Sequence, residues 1–217
     1  MKKYIPLFVL PLVLILGGCS TNYVELAKEN MSEITNAYFY GKCDEFEISL
    51  SSGRREEPYI YDGKNGDICD FALVTMDLNS EKDKEIVVFS INSNAFSCVL
   101  EYNAITGTFM ADLERDISED DNISVKFENS QINLICQSKD FQVDGNKAIE
   151  IGVNEFFEDF ENMIEKQELK AECYLKILDN LSNGFEKSFW CFTIVDTKGN
   201  HFNVIIDTNS GNILAKT

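Results

Sequence analysis

The spacing of apolar residues changes several times along the chain, and each change marks an element. Tyr4–Leu16 is a continuous apolar run, broken only by Pro6 and Pro11. Val24, Ala27, Met31, Ile34 and Tyr38 then recur three and four apart, which predicts one helical face, with Gly41 as its stop signal. Beyond it, β-branched and aromatic stretches predict strands over Phe46–Leu50, Pro58–Tyr61, Cys69–Leu78, Glu85–Ile91, Ser97–Tyr102, Thr108–Leu113, Ile123–Phe127 and Ile132–Cys136. Their spacing and the turn residues between them are those of a sandwich or barrel. Asn103–Gly107 reads as a hairpin loop, with Asn opening a type I turn and Gly taking the left-handed position that closes it.

A boundary falls at Asp144, Gly145 and Asn146, with Asn146 placed to cap a helix. Ile149, Val153, Phe156, Phe157, Phe160 and Ile164 predict that second amphipathic helix. Strands follow over Lys170–Leu178, Lys187–Asp196, His201–Asp207 and Asn212–Ala215, and Asp207–Gly211 repeats the Asx-to-Gly turn chemistry. The pattern thus predicts an α+β chain. An N-terminal helix and an antiparallel, sandwich-like strand-rich domain occupy residues 19–143, and a helix packed on a small antiparallel sheet occupies residues 144–217.

The first apolar run is thirteen residues long. A bilayer-spanning helix needs roughly 20, so the run fits the core of a secretory signal behind the basic start Lys2, Lys3. It ends Leu16, Gly17, Gly18, Cys19, which resembles the lipobox of bacterial lipoproteins. Small residues before the cut give the processing peptidase access to the backbone, and the cysteine sulfur can carry a diacylglyceryl thioether. The resemblance implies that residues 1–18 are a cleaved signal peptide and that Cys19 carries the lipid. It also implies attachment to the outer face of the bacterial cytoplasmic membrane through acyl chains such as palmitate. One acyl chain holds only marginally, at ~0.8 kcal/mol per buried methylene, so the two chains of a diacylglyceryl group provide a stable anchor. The chain as a whole is similar to surface lipoproteins of Gram-positive anaerobes.

The net charge is −18, and loss of Lys2 and Lys3 with the leader makes the mature chain more acidic still. Nucleic acid and anionic headgroups repel such a chain, and no basic stripe interrupts the acidity, so nucleic acid is excluded as a partner. Besides Cys19 there are Cys43, Cys69, Cys98, Cys136, Cys173 and Cys191, none in a C-x-x-C pair. Export permits disulfides, while cysteines within apolar strands also serve as small hydrophobes. A hairpin of Lys170–Leu178 with Lys187–Asp196 centred on Ser182 would set Cys173 opposite Cys191. That placement suits either a strained disulfide or a reduced, packed pair. Ser51–Pro58 is a polar, turn-forming run. It reads either as a binding loop presenting Arg54 or Arg55 to an anionic ligand, or as a solvated connector whose charges pair locally.

Signatures of catalysis are missing from the sequence. His201 is the one histidine, and there is no H-E-x-x-H, G-x-S-x-G, phosphate-cradling P-loop or G-x-G-x-x-G. No enzyme activity, metal or cofactor is expected.

The last seventy or so residues resemble a PepSY domain. The resemblance rests on Ala148 and Ile149 in the helix, Trp190 and Val195 in a strand, His201–Asp207, and the closing Ser210, Gly211, Asn212, Ile213 and Leu214. Ser210 and Asn212 stand where that family usually has Thr and Glu. The resemblance implies a helix on an antiparallel sheet and a non-catalytic module that binds or restrains exported peptidases. The expected function is therefore a membrane-anchored binding module for an exported protein. The alternative is a small-ligand or solute receptor whose N-terminal domain encloses a pocket.

Overall fold

The computed structural model describes residues 22–58, 60, 66–80, 82–179, 181 and 184–217. Helix α1, Tyr23–Glu29, starts at Asn22, whose side chain accepts from the Glu25 backbone N–H. It stops after two turns. The Asn30 N–H reaches the carbonyls of Leu26 and Ala27, and its side-chain amide donates to the Leu26 carbonyl at 2.8 Å. From Met31 the chain is extended as strand β1, Met31–Lys42. The helix expected from Val24 to Tyr38 is therefore corrected to a short helix followed by the longest strand among the described residues. Bulges on β1 at Met31/Glu33 and Thr35/Ala37 break its alternation, and this leaves apolar residues at helix-like intervals.

The strands that follow are β2 (Phe46–Glu56), β3 (Ile68–Leu78), β4 (Lys84–Ile91), β5 (Asn94–Asn103), β6 (Thr108–Leu113), β7 (Ile123–Phe127), β8 (Ser130–Asn133) and β9 (Ile135–Cys136). Helices α2 (Gly145–Glu155) and α3 (Phe157–Asn162) lead to the small hairpin β10 (Ile164–Glu165) and β11 (Glu168–Leu169). Strands β12 (Ala171–Leu178), β13 (Phe189–Asp196), β14 (His201–Asp207) and β15 (Ile213–Lys216) complete the chain. Asp144, two residues before the expected cap, accepts from the Lys147 N–H at 2.8 Å and starts α2. The expected strand Pro58–Tyr61 lies largely outside the described residues.

The α+β layout is overturned by the sheet. Strands make up 54% of the described residues and helices 15%, so the class is mainly β. Among the described residues, thirteen strands join in one mixed sheet, β15-β14-β13-β12-β1-β2-β3-β6-β5-β4-β7-β8, with β9 paired to β1. The join across residues 143 and 144 is a parallel pairing, with Met31 opposite Cys173 and Ile34 opposite Leu175. All other pairings are antiparallel. At the far end the sheet curls back. β8 pairs with β7, and β9, one residue later, pairs with Phe39 and Tyr40 of β1, so the strands from β1 to β9 enclose a common interior.

That interior is filled by Phe39, Phe46, Ile48, Leu50, Val74, Met76, Phe89, Leu100 and Phe109 with their neighbours, all buried. Each such side chain contributes about 1.5–3 kcal/mol when it leaves water. A second core lies where α1 and α2 cover one face of β12–β14. Ala148, Ile149 and Val153 of α2 meet Cys173, Leu175, Trp190, Phe192 and Val204 there. Gly152 makes this packing close, because a Cβ at that position would overlap the Phe192 ring. β1 serves both cores, with Ala37 and Phe39 in the first and Tyr38 in the second.

Candidate functional site

Two features of the second lobe could receive another molecule, the outer edge of β15 and a cleft where β1 meets the ends of β13 and β14. The edge depends on the turn before it. Asp207 accepts through one carboxylate oxygen from the backbone N–H groups of Asn209 and Ser210 and from the Ser210 hydroxyl. Gly211, at φ +72°, takes the left-handed position and donates to the Asp207 carbonyl. The chain then returns along β14 as β15. Among the described residues, no strand pairs with the other side of β15, and its four residues are all exposed. Asn203 and Thr217 exchange both backbone bonds, so alternation along the ladder points the N–H and C=O of Lys216 outward.

Lys187 bonds the second Asp207 oxygen at 2.6 Å. That ammonium, then the N–H groups of Ser210 and Asn209, hold the Asp207 carboxyl far below its ordinary value, against a smaller opposing effect of burial. A carboxylate depressed by folding stabilises the fold above its unfolded value of about 3.9, and the benefit is lost as pH falls below that. Circular dichroism of acid unfolding between pH 5 and 2 is expected to show this loss. Asp207→Asn should flatten the dependence and lower stability at pH 7.

The cleft has a volume of about 430 Å³ and is walled by Tyr38, Tyr40, Phe141, Asp140, Glu186 and Lys187, with Asn209 at its rim. Tyr38 is fixed by main-chain bonds, its N–H donating to the Ser138 hydroxyl and its carbonyl accepting from Gln137. Burial, then the carboxylate of Asp179 and neighbouring Tyr40, push its phenol pKa well up, against hydrogen bonds with Ser49 and Ser188 that lower it. Tyr40 donates to Glu47 at 3.0 Å, and burial raises its pKa too. Phe141 stacks edge-on against Trp190, with ring centroids 5.7 Å apart, and the Trp190 indole N–H donates to the Val143 carbonyl at 2.7 Å.

The residues singled out from sequence are placed as follows. Arg54 and Arg55 are in β2, so the expected binding loop is corrected to a strand. Arg54 is exposed opposite Ile34 and Asp70, while Arg55 pairs with Asp112 and lies over the Phe71 ring at 5.2 Å. The strand was hidden by polar residues. The Ser52 hydroxyl, fully buried, donates to the Phe71 carbonyl and accepts from the Ile117 N–H, both at 3.1 Å.

Cys173 faces Ile194, and Cys191 faces Lys176, so the expected opposition of the two cysteines is corrected. Both are free thiols on opposite faces of the sheet, and burial raises the pKa of each. The other cysteines from Cys43 to Cys136 are free as well. His201 is exposed opposite Val195, and Cys191 pairs with Ile205, so about 13 Å of strand separates His201 from Cys191. Cys19 and its lipobox lie outside the described residues. The interior of the N-terminal strands is filled by the aromatic and aliphatic side chains of the first core. The concave surface at Tyr38 and Tyr40 has no signal in the sequence, because the expected helix runs to Tyr38 and Tyr40 falls just before its stop at Gly41.

No family model, no curated protein and no solved structure matches this chain.

Proposed function

We propose that this chain is a lipoprotein anchored through Cys19 to the outer face of a bacterial cytoplasmic membrane, and that it acts there as a non-catalytic binding module. It captures an extended segment of an exported protein by adding that segment as a strand beside β15. The resemblance of the C-terminal residues to PepSY domains makes an exported peptidase the favoured class of partner. The observation that carries the reading is the edge itself. β15 has one partner strand among the described residues, the outward main-chain groups of Lys216, and apolar Ile213 and Leu214 at 38% and 53% exposure. Main-chain bonds at such an edge supply affinity, and alternate side chains supply selectivity. Natural sheet edges are usually blunted, here by one lysine and a bulge between β14 and β15.

Lys216→Pro tests the proposal. It removes an outward N–H and leaves the β14 ladder intact. Its other loss is a surface ion pair with Glu155, of a kind that contributes little to stability. Crosslinking of the chain to surface proteins of its own organism is expected to recover a reproducible partner, and the variant should recover at least about tenfold less at unchanged stability. The same preparation, examined by mass spectrometry, should begin at a diacylglyceryl-bearing Cys19. Equal recovery by both proteins, or an intact leader, would remove the reading.

A further inference from the structure

The cleft at Tyr38 and Tyr40 combines three properties. Its walls are aromatic, from Tyr38, Tyr40 and Phe141. Its volume of about 430 Å³ lies in the range of small-ligand pockets. Its charge is unbalanced: Lys187 is committed to Asp207, whereas the Asp140 and Glu186 carboxylates have no hydrogen-bond or ion partner among the described residues. Both carboxylates are exposed and hydrated, and beside aromatic rings they make a poor seat for an anion, while a neutral apolar group would gain nothing from them. A cation answers them, and the rings receive its apolar stem and attract its charge. The surrounding field has the same sign, since the whole chain carries −18.

We propose that this cleft is a receptor for a cationic group on an aliphatic stem, an alkylammonium or guanidinium. The head lies between Asp140 and Glu186 and the stem lies along Tyr38, Tyr40 and Phe141. Two sources present that chemistry, the side chain of a lysine or arginine in an extended peptide and a free polyamine. The site does not depend on β15, so either reading can fail while the other stands.

Trp190 provides the readout. It is the only tryptophan, and Phe141, which walls the cleft, packs against its ring. The full chain in detergent micelles, at about 150 mM salt to screen diffuse attraction, is titrated with three probes while Trp190 fluorescence is followed. These are spermidine, a blocked pentapeptide with one central lysine, and the same peptide with that lysine Nε-acetylated. The proposal expects saturable change with spermidine or with the lysine peptide, and none with the acetylated one. Saturation by spermidine alone identifies a free polyamine, and saturation by the peptide identifies a side chain.

The double substitution Asp140→Asn with Glu186→Gln should weaken binding at least about tenfold. Glu45→Gln with Glu158→Gln removes the same charge from exposed positions elsewhere and should leave affinity within about twofold. Circular dichroism should show both variants folded, since all four side chains are on the surface. Equal weakening by the two double variants would reduce the effect to bulk charge and overturn the site. Equal binding of the acetylated peptide, or no saturable change with either cation, would overturn it as well.

Discussion

Gly53→Ala is expected to lower stability by about 3 kcal/mol or more, the upper end of the cost of overpacking. A Cβ on Gly53 would lie inside the van der Waals surface of the Ile34 carbonyl oxygen and 2.9 Å from both the Ile34 carbonyl carbon and the Thr35 Cα. All three atoms are main chain, so no side chain can swing aside. Relief requires β1 and β2 to separate where β1 also holds β12. Against the 5–15 kcal/mol typical of domains, a loss of this size reaches a large part of the total. Urea unfolding should show a lower midpoint with an unchanged slope. Alanine at Gly107, where nothing lies within 4 Å of the added atom, separates crowding from backbone strain, because Gly107 has φ +72° and Gly53 has no such backbone. A Gly53→Ala midpoint within error of the original would show that β1 and β2 are not packed as described.

Phe39→Ala is expected to cost about 3–5 kcal/mol, the usual range for emptying a buried aromatic site. Phe39 is 1% exposed in the first core, on the strand that also supplies Tyr38 to the second. Its loss should therefore be felt in both lobes. The sole tryptophan, Trp190, sits in the second core and reports on that lobe alone. In a urea titration the Trp190 fluorescence transition and the far-ultraviolet dichroism of the whole chain should move down together. If residues 19–143 and 144–217 unfold independently, the Trp190 midpoint will stay where it was while the dichroism splits into two steps.

Where the fold could be read from sequence, local chemistry wrote it. Thr108–Leu113 and Ile123–Phe127 are found with the bounds their pattern predicts. Asn103 accepts from the Ile105 N–H and Gly107 sits at positive φ, as the loop residues imply, and Asp207 and Gly211 repeat the device. What could not be read was set at long range. Apolar spacings of three and four mean a helix only while the period is regular, and the two bulges of β1 imitate them in a strand. The parallel pairing of β1 with β12 joins segments about 140 residues apart and leaves no local trace. The β12–β13 register was expected about Ser182. The observed pairing slides three positions, an odd shift that moves Cys191 to the face opposite Cys173.

The candidate sites divide in the same way. The turn that builds the β15 edge is legible in Asp207, Ser210 and Gly211. The openness of that edge is a property of strand order, which no single segment encodes. The cleft gathers side chains from β1, from the stretch after β9, and from the approaches to β13 and β15. Each looks ordinary in sequence: a tyrosine in an apolar stripe, or an aspartate in a polar turn.

The position of β1 also decides how the molecule would bear a load. Only Asn30 separates it from α1, and the strand is bonded in parallel to β12 and antiparallel to β2. Tension applied between a tethered N-terminus and a protein held at the far edge would enter along the β1 axis. The bonds to both neighbours lie across that axis. They would be strained in shear, many at once, instead of opening singly like a zipper.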